Sequence, residues 1–240
     1  MTSAGTMMVA LLAAPTGAPE IFGAHVITRL GPLPITWTMV SSLAISLVLV
    51  LLGGIMGAAT RRRPAGTVAA IGRLIQRFVA DLVRDAAGQP WPGLEAFAGT
   101  LLLFIGLATV AGQLPGVVAP TANLSAASAL AVLVFLAVPL AGIRARGLGG
   151  YLRHYLQPNP LLLPLHLVSE LSRTVALALR LFGNMMSGHL VVALILALTG
   201  LFVPVPLMAL DLLIGLLQAY IFTILACVYV GAAVRVGEQT

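Results

Sequence analysis

Leu171-Ser172-Arg173-Thr174-Val175-Ala176-Leu177-Ala178-Leu179-Arg180-Leu181-Phe182-Gly183-Asn184-Met185-Met186-Ser187-Gly188-His189 is the stretch on which the reading of this chain turns. It lies inside a helical segment expected over residues 165–201, in which no proline falls between Leu165 and Gly200. Arg180 sits roughly 20 Å or more along that helix from either end, too far for its side chain to reach an aqueous surface. An ionised arginine at mid-depth in a bilayer costs about 3 kcal/mol on insertion scales and 10 or more in simulations. A partner carboxylate or a water-filled cavity must offset that cost. Within the chain, Asp211 is the obvious structural partner.

That setting is a membrane. The chain has 240 residues, 60% of them apolar and 8% charged, with a mean hydropathy of +1.06. A soluble domain carries roughly a quarter of its residues as charges. The composition excludes a soluble enzyme, a disordered tail and a nucleic-acid binder, despite a pI near 10.7. Cys227 is the one cysteine, so neither an internal disulfide framework nor a multi-cysteine metal site is expected. The thiol reads as a small hydrophobe on a helix.

A crossing helix needs roughly 20 apolar residues. Charge-free stretches place crossings at 38–60, 96–114 and 125–143, the latter two separated by turn signals at Gln113-Leu114-Pro115-Gly116 and Ala119-Pro120-Thr121-Ala122-Asn123. Two more are expected at 165–201 and, after the Pro204-Val205-Pro206 turn, at 206–236. Residues 67–85 read as an amphipathic surface helix, with Ile71, Leu74, Ile75, Phe78 and Leu82 on one face and Arg73, Arg77, Asp81 and Arg84 on the other. The expected fold is therefore an all-α integral membrane protein with five crossings, a single membrane domain and one helix on the cytoplasmic surface. A helix over 165–201 is roughly 55 Å long against a hydrocarbon core of about 30 Å, so the last two helices are expected to be steeply tilted.

Arginine placement orients the chain. Arg61, Arg62, Arg63, Arg73, Arg77, Arg84, Arg144, Arg146, Arg153 and Arg235 fall on one side, and Arg29 on the other. The positive-inside rule puts the ten in the cytoplasm, the 1–35 segment outside and the C-terminus inside. Met7–Ala14 is a short apolar run, but no positive charge precedes Arg29, so a cleaved secretory signal is not expected.

At 100° per residue, His166, Ser169, Arg173, Asn184 and Ser187 fall within about 40° of Arg180, with Glu170 near the edge of the stripe and His189 opposite. On the next helix Asp211, Gln218 and Tyr229 share a face. Ala176, Ala178, Gly183, Ser187 and Gly188 would let another helix come close to the arginine. Each polar residue alone fits a satisfied helix–helix contact. The ordered series around one central arginine fits water or a second protein.

The block Arg180-Leu181-Phe182-Gly183-Asn184-Met185 within the quoted stretch resembles subunit a of F-type ATP synthases, and Leu217-Gln218-Ala219-Tyr220-Ile221-Phe222-Thr223-Ile224-Leu225 supports the resemblance. Weaker matches are Ile35-Thr36-Trp37-Thr38-Met39-Val40, Leu114-Pro115-Gly116 and Pro120-Thr121-Ala122-Asn123. The resemblance implies a non-catalytic stator subunit without cofactor or metal, in a bacterial plasma membrane. Its partners would be a ring of c-subunits, b-type peripheral-stalk subunits and the rest of the synthase. It implies that Arg180 faces the ion-binding carboxylate of each passing c-subunit. Asn184, His189, Asp211 and Gln218 match positions of the half-channel open to the outside. His166 and Ser169 match positions of the cytoplasmic half-channel. His166 stands where bacterial members commonly have Glu, and Glu170 one turn later is a candidate to replace it. Asn123 stands where Asp is frequent. The expected ion is the proton, with sodium as the alternative, because the coordinating carboxylate belongs to the c-subunit. An unrelated secondary transporter would show broken helices or an internal repeat, and neither is visible in the sequence. A membrane hydrolase would need a motif such as His-Glu-x-x-His or Gly-x-Ser-x-Gly, and neither occurs.

Overall fold

The computed structural model describes residues 26–30, 33–62, 66–88, 92–114, 119–156, 163–199 and 202–235. Among them are six α-helices: α1 (Trp37–Arg62), α2 (Thr67–Ala87), α3 (Pro92–Gly112), α4 (Leu124–Leu156), α5 (Leu163–Thr199) and α6 (Pro204–Arg235), with a short 3-10 turn at Pro120–Ala122. All but α2 contain a stretch long and apolar enough to cross a membrane. The chain is an all-α, multi-pass membrane protein. Before α1 it adds a two-stranded antiparallel ribbon, β1 (Val26–Leu30) with β2 (Leu33–Thr36), which charge mapping does not reveal. Most of the 1–35 segment lies outside the described residues.

Helix boundaries follow local chemistry. Proline in a first turn forfeits no intrahelical bond, because that N–H has no partner anyway. Hence α3 begins at Pro92, with Glu95 in its first turn complementing the helix dipole, and α6 begins at Pro204 rather than after Pro206. The helix at 124–156 overruns the expected end of its crossing only nominally. Gly147 has φ 74° and ψ 165°, a conformation open to glycine alone, and it divides the membrane-crossing piece from a second helix.

The bundle is built around α6. One apolar cluster joins Leu101 and Ile105 of α3, Ala131 and Val134 of α4, Leu177 and Leu181 of α5, and Phe222 and Ala226 of α6. The other joins Val79 and Val83 of α2, Leu94 and Ala98 of α3, Val138 of α4, and Cys227 and Val230 of α6. Cys227 is thus a buried hydrophobe, as its sequence context implied. By contrast α1 is peripheral: only 6% of its apolar window is buried, against 44% for α6.

The single apolar face expected on α2 divides in two. Ala69, Gly72, Val79, Leu82, Val83 and Ala87 pack inward, whereas Ile71, Leu74 and Phe78 are at least half exposed. These two sets flank Ile75, which is half-buried on the divide. An apolar arc this wide serves a helix that contacts both a protein bundle and a lipid boundary.

Candidate functional site

Arg180 lies near the middle of α5, about 26 Å from the helix start. It is exposed, and among the described residues it makes no ion pair or hydrogen bond. Asp211, its candidate structural partner, is buried and engaged elsewhere: Gln113 Nε2 donates to Asp211 Oδ2 at 2.8 Å. The intrachain Arg180–Asp211 pair is therefore not formed. Ser169 and Ser187 share the exposed side with Arg180, and Asn184 and Arg173 are half-buried at its margins.

The small residues around the arginine separate by role. Ala178 is buried in the α3–α6 cluster, and Gly188 accommodates the Asp211 carboxylate so closely that a Cβ there would collide with Asp211 Oδ1. Ala176 and Ser187 are exposed, and nothing lies within 4 Å of a Cβ built at Gly183. Thus three of the five line an open face beside Arg180, and two serve the chain's own packing.

Two further polar groups flank Arg180 along α5. Toward the C-terminal end, His189 turns inward. Its Nδ1 lies 2.7 Å from the Met185 carbonyl and its Nε2 3.3 Å from the Gly112 carbonyl. Gly112 ends α3, and the last carbonyls of a helix have no partner within it, which leaves this one free to meet the imidazole. Asp211 stands two turns into α6, so His189, Asp211, Gly112 and Gln113 gather at one end of the bundle. Gln218, two turns further along α6, is buried, and its Nε2 has no hydrogen-bond partner among the described residues. A buried amide donor of this kind calls for water or a passing ligand.

Toward the N-terminal end of α5, Glu170 Oε2 lies 3.7 Å from Arg173 Nη1. The Arg173 guanidinium stacks over the Tyr229 ring at 4.3 Å from its centroid. Ser169 is exposed there. The side chain of His166 falls outside the described residues. Glu170 lies ten positions before Arg180, and His189 nine positions after it. The two polar groups therefore lie on opposite sides of the arginine, each about 15 Å away along the helix.

Gln113 and Gly112 are residues of the candidate site that sequence reasoning missed. Gln113 was legible only as part of a turn before Pro115. Its bond to Asp211 spans 98 positions, and no local pattern encodes such a contact. Asn123, by contrast, has a local role: its side-chain oxygen accepts from both the backbone N–H and the hydroxyl of Ser125 at the start of α4.

The comparisons with known proteins agree with this architecture. The family model described as ATP synthase A chain matches residues 35–231. The ATP synthase subunit a 2 of Bradyrhizobium sp. strain BTAi1 is 42% identical over 206 residues, covering 86% of this chain and 92% of that protein. The subunit a 2 of Picosynechococcus sp. strain PCC 7002 is 54% identical over 165 residues, 69% of each chain. That of Pelobacter propionicus is 44% identical over 210 residues, covering 86% of this chain and 90% of its own. Family match, identity over most of the chain and five membrane-crossing helices lead to one conclusion: the chain belongs to the ATP synthase subunit a family, whose members are membrane subunits of F-type ATP synthases.

Proposed function

We propose that this chain is the non-catalytic stator of ion translocation, carrying two offset half-channels that meet a rotating ring of c-subunits at Arg180. The observation that carries the reading is an arginine at mid-depth, on an open face, with no partner among its own chain's described residues. The moving carboxylate of the ring is its partner. Beside the guanidinium that carboxylate stays ionised, because a nearby positive charge favours the charged form. An ion cannot then pass directly from one half-channel to the other and must travel with the ring.

His189, Asp211, Asn184 and Gln218 serve the half-channel to the outside. Glu170, Ser169 and His166 serve the cytoplasmic one. The closely packed His189–Asp211 end supports the first assignment, and the Glu170–Arg173 end supports the second. α5 crosses the membrane steeply tilted, since its 37 residues exceed the bilayer core. The ring's carboxylate selects the ion, a proton on this reading. A sodium requirement for synthesis would replace it with Na⁺ and leave the pathway intact. The peripheral stalk binds the same subunit, and the complex resides in the bacterial plasma membrane.

The test is Arg180→Ala in assembled complex. The variant is expected to insert and assemble but to lose both ATP-driven pumping and ion-driven synthesis. Normal coupled synthesis would overturn the reading. Orientation is tested separately, with single cysteines at Ser3 and Gln239 in a background lacking Cys227. An impermeant reagent applied to intact cells should label position 3 alone, and label at 239 would reverse the topology.

A further inference from the structure

We infer that Gln113 is a positioning residue for Asp211. It holds the carboxylate at a fixed height against Gly188, the residue before His189, so that one helix end, that of α3, sets both titratable groups of the outer path. The inference rests on the reading of Asp211 as an ion relay.

Three observations converge on it. First, Gln113 Nε2 donates to Asp211 Oδ2 at 2.8 Å, in the range of a charge-assisted bond to a carboxylate. Second, the carboxylate's other oxygen fills the hollow left by the missing side chain of Gly188. With one oxygen bonded and the other walled in by α5, the acid has a single seat. Third, the residue preceding Gln113 supplies the carbonyl that faces His189 Nε2 at 3.3 Å. A Cβ at Gly112 would press on both that ring and Ala119, so the backbone here is held against its neighbours and cannot drift. Adjacent residues at the end of α3, Gly112 and the Gln113 that follows it, therefore locate an imidazole on α5 and an acid on α6. A carboxylate freed from this bond would leave its place against Gly188 or pair with whatever cation came near, and the relay distance would vary.

The amide takes up no ion in this scheme and acts only through Asp211, which a double-mutant comparison exposes. Ion-driven ATP synthesis is measured in membranes containing equal amounts of assembled complex. Gln113→Leu, which keeps the bulk and removes the donor, is expected to slow synthesis by about tenfold, the effect of losing one hydrogen bond to a charged group. Asp211→Asn is expected to be slower still. The decisive value is the double variant, which should match Asp211→Asn alone, because a positioning residue has nothing to position once the acid is gone. Losses that multiply would show Gln113 acting independently and overturn the inference. A wild-type rate for Gln113→Leu beside a slow Asp211→Asn would remove Gln113 while leaving the outer path standing. A wild-type rate for Asp211→Asn would remove the outer path and this inference together. Failure to assemble with both Gln113→Leu and Gln113→Met would assign Gln113 to folding and equally overturn it.

Discussion

The two polar groups that flank Arg180 are built differently. At the His189 end, three helices interlock: a buried acid on α6, the last carbonyl of α3 and the amide of the residue after it, and an imidazole and a glycine hollow on α5. At the Glu170 end, two helices meet through the Arg173 guanidinium stacked on Tyr229, with an ion pair at 3.7 Å inside α5 and the Arg173 side chain 38% exposed. One end is finished within the chain. The other leaves polar groups open toward the face that carries Arg180, Ser169 and Ser187. On the proposed function, the difference teaches that the geometry is fixed within the chain where the path is buried. Where the proposed path runs along an open face, a neighbouring subunit can complete it. Substitutions at each end should therefore differ in size and kind.

The largest effect is expected at the point both ends share. Arg180→Lys keeps the charge but replaces a broad, permanently ionised guanidinium with a compact ammonium that readily loses its proton when desolvated. Coupled synthesis is expected to fall to background in assembled complex, as in Arg180→Ala. Synthesis retained by Arg180→Lys would mean that a point charge suffices, and that the open face discriminates less than its geometry implies.

Next comes the finished end. Asp211→Asn leaves the Gln113 amide facing another amide and removes the ionisable group. Ion-driven synthesis is expected to fall by at least about a hundredfold with assembly intact, more than the loss of a single hydrogen bond to a charged group gives. A wild-type rate, in this variant and in His189→Ala, would show that ions do not use this cluster, and the contrast between the ends would collapse. Gly188→Ala probes the same end by volume alone. Its Cβ would collide with the carboxylate, and overpacking of this type costs about 1–3 kcal/mol. A lower thermal midpoint of the complex and a reduced synthesis rate are expected together. A rate unchanged by Gly188→Ala would show that the acid tolerates displacement.

How far this division was legible in the sequence depends on the range over which each feature is encoded. Arg180 was legible because its cost is local, a charge deep in an apolar run. The stripe of Ser169, Arg173 and Ser187 was legible because helical periodicity is local too, and their exposure or partial exposure agrees with it. The inward turn of His189 also follows from that periodicity. What it meets there does not, because Gly112 comes from a helix whose placement no period encodes. The face of α2 was misjudged for a related reason. Hydrophobicity marks the arc from Ile71 to Val83 as apolar but cannot say which part meets protein and which meets lipid. In a soluble protein the same arc would point to one core. In a membrane two apolar surroundings compete for it.

The smallest effect is expected at the open end, and it bears most directly on the comparison. Tyr229 packs against both apolar clusters and lies under the Arg173 guanidinium. Tyr229→Leu keeps most of the packing and removes the ring face, whose interaction with an exposed cation is worth about 0.5–1 kcal/mol. The Glu170–Arg173 pair, separated by one turn of α5 and partly exposed, adds at most about 1 kcal/mol. Losing the stack should therefore let Arg173 move while Glu170 remains in place, anchored by its own helix. Thermal stability of the complex is expected to fall slightly, and ion-driven synthesis to stay within about twofold of wild type. Glu170→Gln removes an acid from the proposed path and should slow synthesis more than Tyr229→Leu does, with no greater loss of stability. If Tyr229→Leu instead slows synthesis as much as Asp211→Asn, then the Arg173 stack positions ions as tightly as the Gln113–Asp211 bond does. The open end would then be no less finished than the buried one.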